Sequence, residues 1–388
     1  MLHAGLLLAT LTPGHVGGSE TYVRGLLSAF AAGEGPERTT VLTHRTTAAS
    51  LGIAQDGPVS WRELRGHAPA PGGARRAAWL VGALASARAR PRRDLALNVV
   101  HAPLTVALPR IAGVPLVVTL HDAIHHEHPS SFGAAERAYR RLAYDQPARE
   151  AALVITDSEH ARASIVARLG IDHERVVAIH HGIDHGRFRP APADGDERRL
   201  APLALPRRFV VYPANLWPHK NHEGLLEGLA RTTTRDLAIV LTGQRSARWP
   251  GLLALARRLG IAARVHHAGY LPADTMPALY RRAAGLVFPS LVEGFGAPTL
   301  EAMACGCPVA AADAGAVAEI TGDAALSFDA RDPSAIGAAL DRLADDEALR
   351  RRLTEAGPAH AAGFTWSTCA RRHREAYDRA RYAPRLRR

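Results

Sequence analysis

Two glutamates eight positions apart, Glu293 and Glu301, bracket a segment that carries Gly294, Phe295, Gly296, Ala297, Pro298, Thr299 and Leu300. The apolar run ahead of it, residues 285–288, reads as a buried strand. Residues 300–305 read as a helix stopped by Gly306. Proline is tolerated at a helix start, where its missing N–H would be unpaired anyway. A strand, a glycine loop and a helix N-terminus in that order offer backbone N–H groups and the positive end of a helix dipole, which suits a phosphate. Glu301, in the first turn of the expected helix, has two readings: a carboxylate favoured by the dipole, or an acceptor for sugar hydroxyls such as those of a ribose. Glu293 lies on the loop and no helix rule explains it. An anion beside a phosphate is unfavourable unless it pairs with hydroxyls or with a cation.

A cation is available. Of 48 basic side chains, 47 are arginine and one is lysine, Lys220. A compact, flexible ammonium differs from a planar guanidinium in reach and shape, so Lys220 is a candidate functional residue. Its loop, residues 213–221, follows an apolar run at 209–212 and includes Asn215. Lysine together with backbone amides makes a diphosphate site. His121 directly follows the apolar run 115–120, at the end of a strand where a ligand would sit in an open parallel sheet. His125, His126 and His128 have the residue type of a metal tract, but their setting is a polar loop and no metal is expected there. Gly17 and Gly18 precede a helix, with Ser19 as the expected cap. They fit either a plain turn or a backbone lying close to a substrate.

These residues need a frame, and the apolar periodicity supplies one. Strand-like runs at 6–9, 39–44, 95–100, 115–120, 153–157 and 176–179 are interleaved with helical patterns at 21–32, 74–90, 134–151 and 158–169. Ser158 is placed to cap the last of these. A second series begins at 209–212 and continues through 237–241, 265–271, 285–288, 308–312 and 324–328. Its helices are expected at 223–230, 250–259, 273–284, 300–305, 333–344 and 346–356, with a final one at 367–381. Between the two series, residues 189–196 are rich in Pro, Gly and Asp, as a linker would be. Alternating strands and helices in both halves imply two parallel-sheet α/β domains facing across a cleft.

Bulk properties narrow the function. At 388 residues and 47% apolar composition, the chain can build two ordinary globular cores. No run of about 18 apolar residues is present, and the apolar start reads as a first strand rather than a signal peptide. Three cysteines, Cys305, Cys307 and Cys369, lack zinc spacing and point to a reduced, cytoplasmic setting. The net charge is +11, and residues 370–388 hold 8 arginines against 2 acids. That is a basic C-terminal stretch on a nearly balanced body, without the recognition motif or aromatic platform of a nucleic-acid-binding protein. A second cluster, Arg75, Arg76, Arg88, Arg90, Arg92 and Arg93, surrounds the expected helix at 74–90. It fits either a solvated face or a patch toward an anionic membrane.

The segment Pro289 to Val309, with Glu293 and Glu301 at their eight-residue separation, resembles the signature of the family 4 retaining glycosyltransferases. The likeness extends over most of the chain: Gly17-Gly18-Ser19-Glu20, His121-Asp122, His181-Gly182-Ile183-Asp184, Pro218-His219-Lys220-Asn221 and Phe364-Thr365-Trp366 fall in the family's order. It implies the GT-B fold, two Rossmann-like domains. The first would be an acceptor-side domain at 1–192 and the second a nucleotide-sugar-binding domain at 193–365. Residues 366–388 would form a helix returning to the first domain and a basic tail.

By that resemblance Lys220 and the amides from Gly296 to Thr299 hold the donor diphosphate, Glu301 binds the ribose, and Glu293 contacts hydroxyls of the transferred sugar. His121 contacts that sugar from the other domain, while Gly17 and Gly18 let the backbone approach the donor. Tyr270 and Leu271 lie beside the base, and Gly294, Phe295, Ala297 and Leu300 belong to the same donor loop. Asn215 departs from relatives that carry an arginine there, leaving Lys220, the helix dipole or Arg245 to steady the leaving group.

The implied reaction is transfer of a sugar, with mannose a candidate, from a nucleotide-diphosphate donor to a glycan or lipid-linked acceptor. It is metal-independent, uses no cofactor and proceeds at one face of the sugar. The implied setting is cytoplasmic, with a place at the inner membrane face as its extension. A sugar-nucleotide epimerase or hydrolase on the same fold is the competing enzyme reading.

Overall fold

The computed structural model describes residues 1–14, 17–64 and 95–383. The helix expected at 74–90, its arginine cluster and the last five residues lie outside the described residues. The chain divides into two compact units, residues 1–182 with 366–388, and residues 183–365.

In the first unit β1 (His3–Leu7), β2 (Arg38–Thr43), β3 (Val59–Glu63), β4 (Val99–Ala102), β5 (Leu116–Thr119), β6 (Leu153–Thr156) and β7 (Val176–Ala178) form one parallel sheet. Its order is β3-β2-β1-β4-β5-β6-β7. The second unit repeats the plan with β8 (Phe209–Pro213), β9 (Ala238–Thr242), β10 (Val265–Gly269), β11 (Gly285–Phe288), β12 (Val309–Ala312) and β13 (Leu326–Phe328), in the order β10-β9-β8-β11-β12-β13. Strands such as Phe209-Val210-Val211-Tyr212 and Leu286-Val287-Phe288 are wholly buried, as a parallel sheet covered on both faces requires. In each sheet the strand order reverses direction once, between β1 and β4 and between β8 and β11. Ligands of such sheets gather beyond the carboxyl ends at that switch.

Six helices position the residues discussed below: α1 (Gly18–Ala31), α2 (Glu159–Leu169), α3 (His222–Arg231), α4 (Ala297–Ala304), α5 (Pro333–Asp345) and α6 (Trp366–Tyr382). Ser158 caps α2 as expected, its side chain accepting from the Ala161 N–H. Ser19 does not cap α1. That helix starts at Gly18, three residues before the expected start, with Gly17 at its N-cap and no side-chain cap. Strand β3 and a short helix, Arg45–Leu51, were not legible, because both are brief and half-polar.

The divide between units falls at Gly182/Ile183, ahead of the Pro-, Gly- and Asp-rich stretch at 189–196 and ten residues before the expected end of the first domain at 192. Packing explains the difference: Ile183 bridges Thr365, and Ile183 and Phe188 sit in the second core. At the other end, α6 belongs to the first unit. Cys369, Ala370, Ala376 and Tyr377 are buried in the same core as Tyr22, Leu26 and Phe30 of α1. The basic stretch is therefore not a free tail up to Tyr382. It is an amphipathic helix with one face in the core and arginines such as Arg371, Arg372 and Arg379 exposed.

Candidate active site

Lys220 stands in the loop after β8, and Glu293 in the loop after β11, the two strands at the switch of the second sheet. The lysine Nζ lies 2.5 Å from Glu293 Oε1, and the two side chains are 19% and 12% exposed. Glu293, which no helix rule explained, thus has the lysine as its partner. Partial burial makes the pair interdependent, since removing one partner strands the other charge. The surrounding backbone fixes both loops. Tyr212, buried at the end of β8, places its hydroxyl 2.9 Å from Ser290 Oγ and donates to the Lys220 carbonyl at 2.7 Å. Leu291 N–H donates to the His219 carbonyl at 2.8 Å. Asn221 takes a left-handed φ of 55°, caps α3 through Gly224 N–H, and donates to the Ala330 carbonyl at 2.7 Å.

Helix α4 begins at Ala297, three residues before the expected start. Gly296 is its N-cap with φ 94°, a left-handed conformation suited to glycine. Both the N–H and the hydroxyl of Thr299 donate to the Gly296 carbonyl, at 2.9 and 2.8 Å. Thr299 is thereby engaged inside the turn. Phe295 and Leu300 are buried side chains of the core rather than surface of the loop.

The early start also moves Glu301 out of the first turn, so the dipole reading does not apply, because that effect fades within one turn. Its environment is different: burial pushes the Glu301 carboxyl up to about 7, opposed by a hydrogen bond from the Tyr280 hydroxyl at 3.1 Å and by Arg187. Tyr280 was not singled out in the sequence. Its signal was only a tyrosine in a helix of the same half.

Neighbouring loops at this sheet edge are tied laterally. Asn215 Oδ1 accepts from Gln244 N–H at 2.9 Å, and Gly243 N–H donates to the Gly269 carbonyl at 2.8 Å. Asn215 therefore joins the loops after β8 and β9. Arg245, the alternative cation, lies with its guanidinium 5.6 Å from the Trp249 ring and 3.5 Å from His267 Nδ1. Tyr270, just past β10, is 64% exposed and Leu271 partly so.

In the first unit Gly17 has φ 55° and ψ −128°, available essentially to glycine, and α1 begins immediately after it. A Cβ on Gly17 or Gly18 would meet nothing within 4 Å, so no packing contact among the described residues demands glycine at either position.

His121, just past β5, places Nδ1 2.8 Å from Asp157 Oδ2 and Nε2 3.1 Å from the Pro103 carbonyl. The other oxygen of Asp157 lies 2.9 Å from His181 Nε2. Tyr22 stacks on His181 with ring centroids 4.6 Å apart, and meets His121 edge-on at 5.4 Å. Burial opposes charge on His121, but Asp157 outweighs it and raises the pKa. Burial likewise opposes ionisation of Asp157, yet His121 and His181 hold its carboxyl well below the usual range.

Behind these groups Tyr22 bonds His373 of α6 at 2.7 Å, and His101 bonds Tyr377 at 2.7 Å and Thr119 at 2.7 Å. Asp157 and Tyr22 were not chosen from the sequence as site residues, and His181 entered only as part of the motif at 181–184. The available signal was that Asp157 ends the strand-like run 153–157 and His181 closely follows the run 176–179.

The histidine tract is structured rather than loose. His125 and His126 set their Nε2 atoms 2.8 and 2.7 Å from the two oxygens of Asp145, which is buried in a π-helical turn. These three residues have the composition of a cation site, with one ligand-type atom from each within 4.8 Å of the others. The carboxylate already lies between the two rings as acceptor.

With this geometry in view, the relationships to known proteins are informative. Residues 196–360 match the family described as glycosyl transferases group 1, and residues 16–187 match glycosyltransferase family 4. The chain is 28% identical over 264 residues to O-antigen chain mannosyltransferase B of Escherichia coli, covering 67% of this chain and 69% of that one. It is 31% identical over 289 residues to D-inositol 3-phosphate glycosyltransferase of Salinispora arenicola, covering 69% and 64%. The matched stretch thus spans about two thirds of those relatives' own length. Two solved structures share the fold: Anabaena HepE in complex with UDP and glucose, at TM-score 0.73, 21% identity and 97% and 99% coverage, and sucrose-phosphate synthase of Thermosynechococcus elongatus, at 0.74, 20%, 97% and 98%.

Proposed function

The chain belongs to the group 1 glycosyltransferases, of the family 4 GT-B type, and on that premise we propose that it moves a sugar from a nucleotide-diphosphate donor to a hydroxyl of a glycan or lipid-linked acceptor, with retention at the anomeric carbon. The observation that carries this reading is the Lys220–Glu293 pair at the switch point of the second sheet. Breaking the anomeric C–O bond leaves positive charge on the sugar and negative charge on the diphosphate. Lys220 and the N-terminal turn of α4 are the preorganised positive groups for the leaving diphosphate. Glu293 releases the ammonium toward the phosphate and turns to sugar hydroxyls. Glu301 accepts from the ribose. The acceptor oxygen attacks the face from which the phosphate departs, and the leaving phosphate oxygen takes the acceptor proton. No step uses a metal or a cofactor in this reading.

Mannose is the sugar considered first, in keeping with the Escherichia coli relative. No helix among the described residues is long and apolar enough to cross a membrane. Attachment at an anionic membrane face, where lipid-linked acceptors sit, would rest on exposed arginines of α6.

The test is a thermal-shift panel of GDP-, UDP- and ADP-sugars on the full chain, followed by product analysis with and without acceptor. A bound donor raises stability with the logarithm of its concentration relative to its Kd. A stabilising donor with acceptor-dependent product formation is the expected result. Donor turnover that ignores the acceptor would mean hydrolysis or epimerisation instead.

A further inference from the structure

We propose that Asp157 is a positioning residue for sugar transfer, its carboxylate clamped between His121 and His181 so that both ring nitrogens of His121 carry hydrogen and donate. The inference rests on the transferase reading above, in which the sequence resemblance assigns His121 to the transferred sugar.

The geometry makes the case atom by atom. The two partners of the His121 ring are a carboxylate oxygen at 2.8 Å and a backbone carbonyl at 3.1 Å. Neither has a hydrogen to give, so satisfying both requires N–H at both positions, which is the imidazolium. Asp157 is 3% exposed and leaves the end of β6, directly before the Ser158 cap of α2. Its position is therefore set by backbone on both sides. Its second oxygen lies 2.9 Å from His181 Nε2, an ion-pair distance without the alignment of a hydrogen bond, and that ring is stacked on Tyr22. The result is a buried carboxylate with two imidazoles and an aromatic wall.

Beyond His181, which shares the Asp157 carboxylate, the titratable groups around His121 do not compete for its proton. His101 from β4 lies with its rings' partners Tyr377 and Thr119, and burial keeps it well below its ordinary pKa. His373 from α6 is pushed down to about 4, chiefly by burial. Burial pushes the Tyr22 and Tyr377 hydroxyls and the Cys369 thiol up, so all three stay neutral. Asp122, the next residue, is raised by burial, with the Ile124 N–H at 3.1 Å and then Arg140 opposing the shift. Asp157 is the dominant anion at the ring. A sugar at His121 would then meet a fixed cationic edge rather than a neutral ring free to rotate.

Two measurements on the full chain test the proposal. The first is an NMR titration of the histidine rings, with His121→Gln used to assign its signal. His121 should stay protonated above its ordinary value of about 6.5 in the wild-type chain, and titrate below the wild type in Asp157→Asn, because the anion that outweighs burial is then gone. A wild-type His121 that titrates at or below 6.5 overturns the clamp, whether or not the variant folds.

The second is the pH profile of transfer, with the donor and acceptor identified in the panel above. Asp157→Asn should lose about tenfold in kcat at pH 7.5 for each unit by which the His121 pKa falls below that pH. It should recover toward wild type as the pH drops to 5.5, while Asp157→Glu retains more activity than Asp157→Asn throughout. An equal loss at every pH marks a structural effect and overturns the proposal. A raised His121 titration in a chain that transfers no sugar from any donor in the panel would overturn the transferase reading and leave the clamp standing.

Discussion

Lys220 and Glu293 hold each other in the absence of donor, and this sets what their removal should do. Lys220→Ala takes away the ammonium proposed for the leaving diphosphate and leaves Glu293 as an unpaired, largely buried anion beside the site. Turnover should fall by about 100-fold or more, as for a lost transition-state donor. Initial rates at saturating donor check this, and near-normal transfer would end the assignment.

Glu301 yields a separate prediction with a defined sign. Its carboxyl titrates at about 7 in the folded chain against an ordinary 4.5. Between those values the unfolded chain releases the proton and the folded chain keeps it, so stability falls as pH rises through that window. Above about pH 7 the penalty is full. Glu301→Gln keeps an acceptor for the Tyr280 hydroxyl and removes the penalty. Its Tm should exceed wild type at pH 8 and converge with it near pH 4; an unchanged difference at both would refute the shift.

At this scale the sequence was informative where a residue broke a pattern. A single lysine among arginines and a loop glutamate outside any helix rule marked the pair. Asp157 and Tyr280 broke none, because their roles depend on which distant side chains the sheet order brings to them.

Elements carry the site through contacts that a spacing rule does not show. Helices α1 and α6 approach so closely that a Cβ on Gly25 would lie 2.1 Å from the Trp366 ring. Gly251, in the helix Trp249–Arg258, has nothing within 4 Å of such a Cβ. The same substitution should therefore have opposite signs. Gly25→Ala overpacks the α1–α6 seam and should cost about 1–3 kcal/mol. Gly251→Ala should stabilise by about 0.5–1 kcal/mol, the helix-interior difference between the two residues. Urea unfolding followed by circular dichroism reads both, and a stabilising Gly25→Ala would show that the seam is looser than described.

The strands themselves were largely legible, because buried parallel strands are short continuous apolar runs bounded by loops. The run 285–288 coincides with β11. Helix starts that rest on a left-handed glycine were not: α4 begins at Ala297 because Gly296 can adopt that cap, a backbone property that apolar periodicity does not encode, whereas α2, α3, α5 and α6 start within a residue of expectation.

The chain passes from the first unit to the second at Gly182/Ile183 and returns at Thr365/Trp366, so one unit is continuous in sequence and the other is not. Residues 183–365 contain all the buried apolar side chains of their own core. Residues 1–182 do not, because Cys369, Ala370, Ala376, Tyr377 and Ala380 of α6 complete theirs. Without α6 the Tyr22 hydroxyl loses His373 and keeps only Thr119 at 3.2 Å, while His101 Nδ1 loses Tyr377. Each buried polar group left unpaired costs about 1–3 kcal/mol, beyond the apolar surface of α1 that becomes exposed. These losses count against a whole-domain stability of only about 5–15 kcal/mol.

The fragment 183–365 should accordingly unfold cooperatively when made alone, and should be stabilised by the same nucleotide that stabilises the full chain. The fragment 1–182 should show no cooperative transition. Joining residues 366–383 to it through a flexible linker should restore one, because the linker replaces only the connection and not the packing. A cooperative 1–182 fragment would show that α6 covers a finished core rather than completing it.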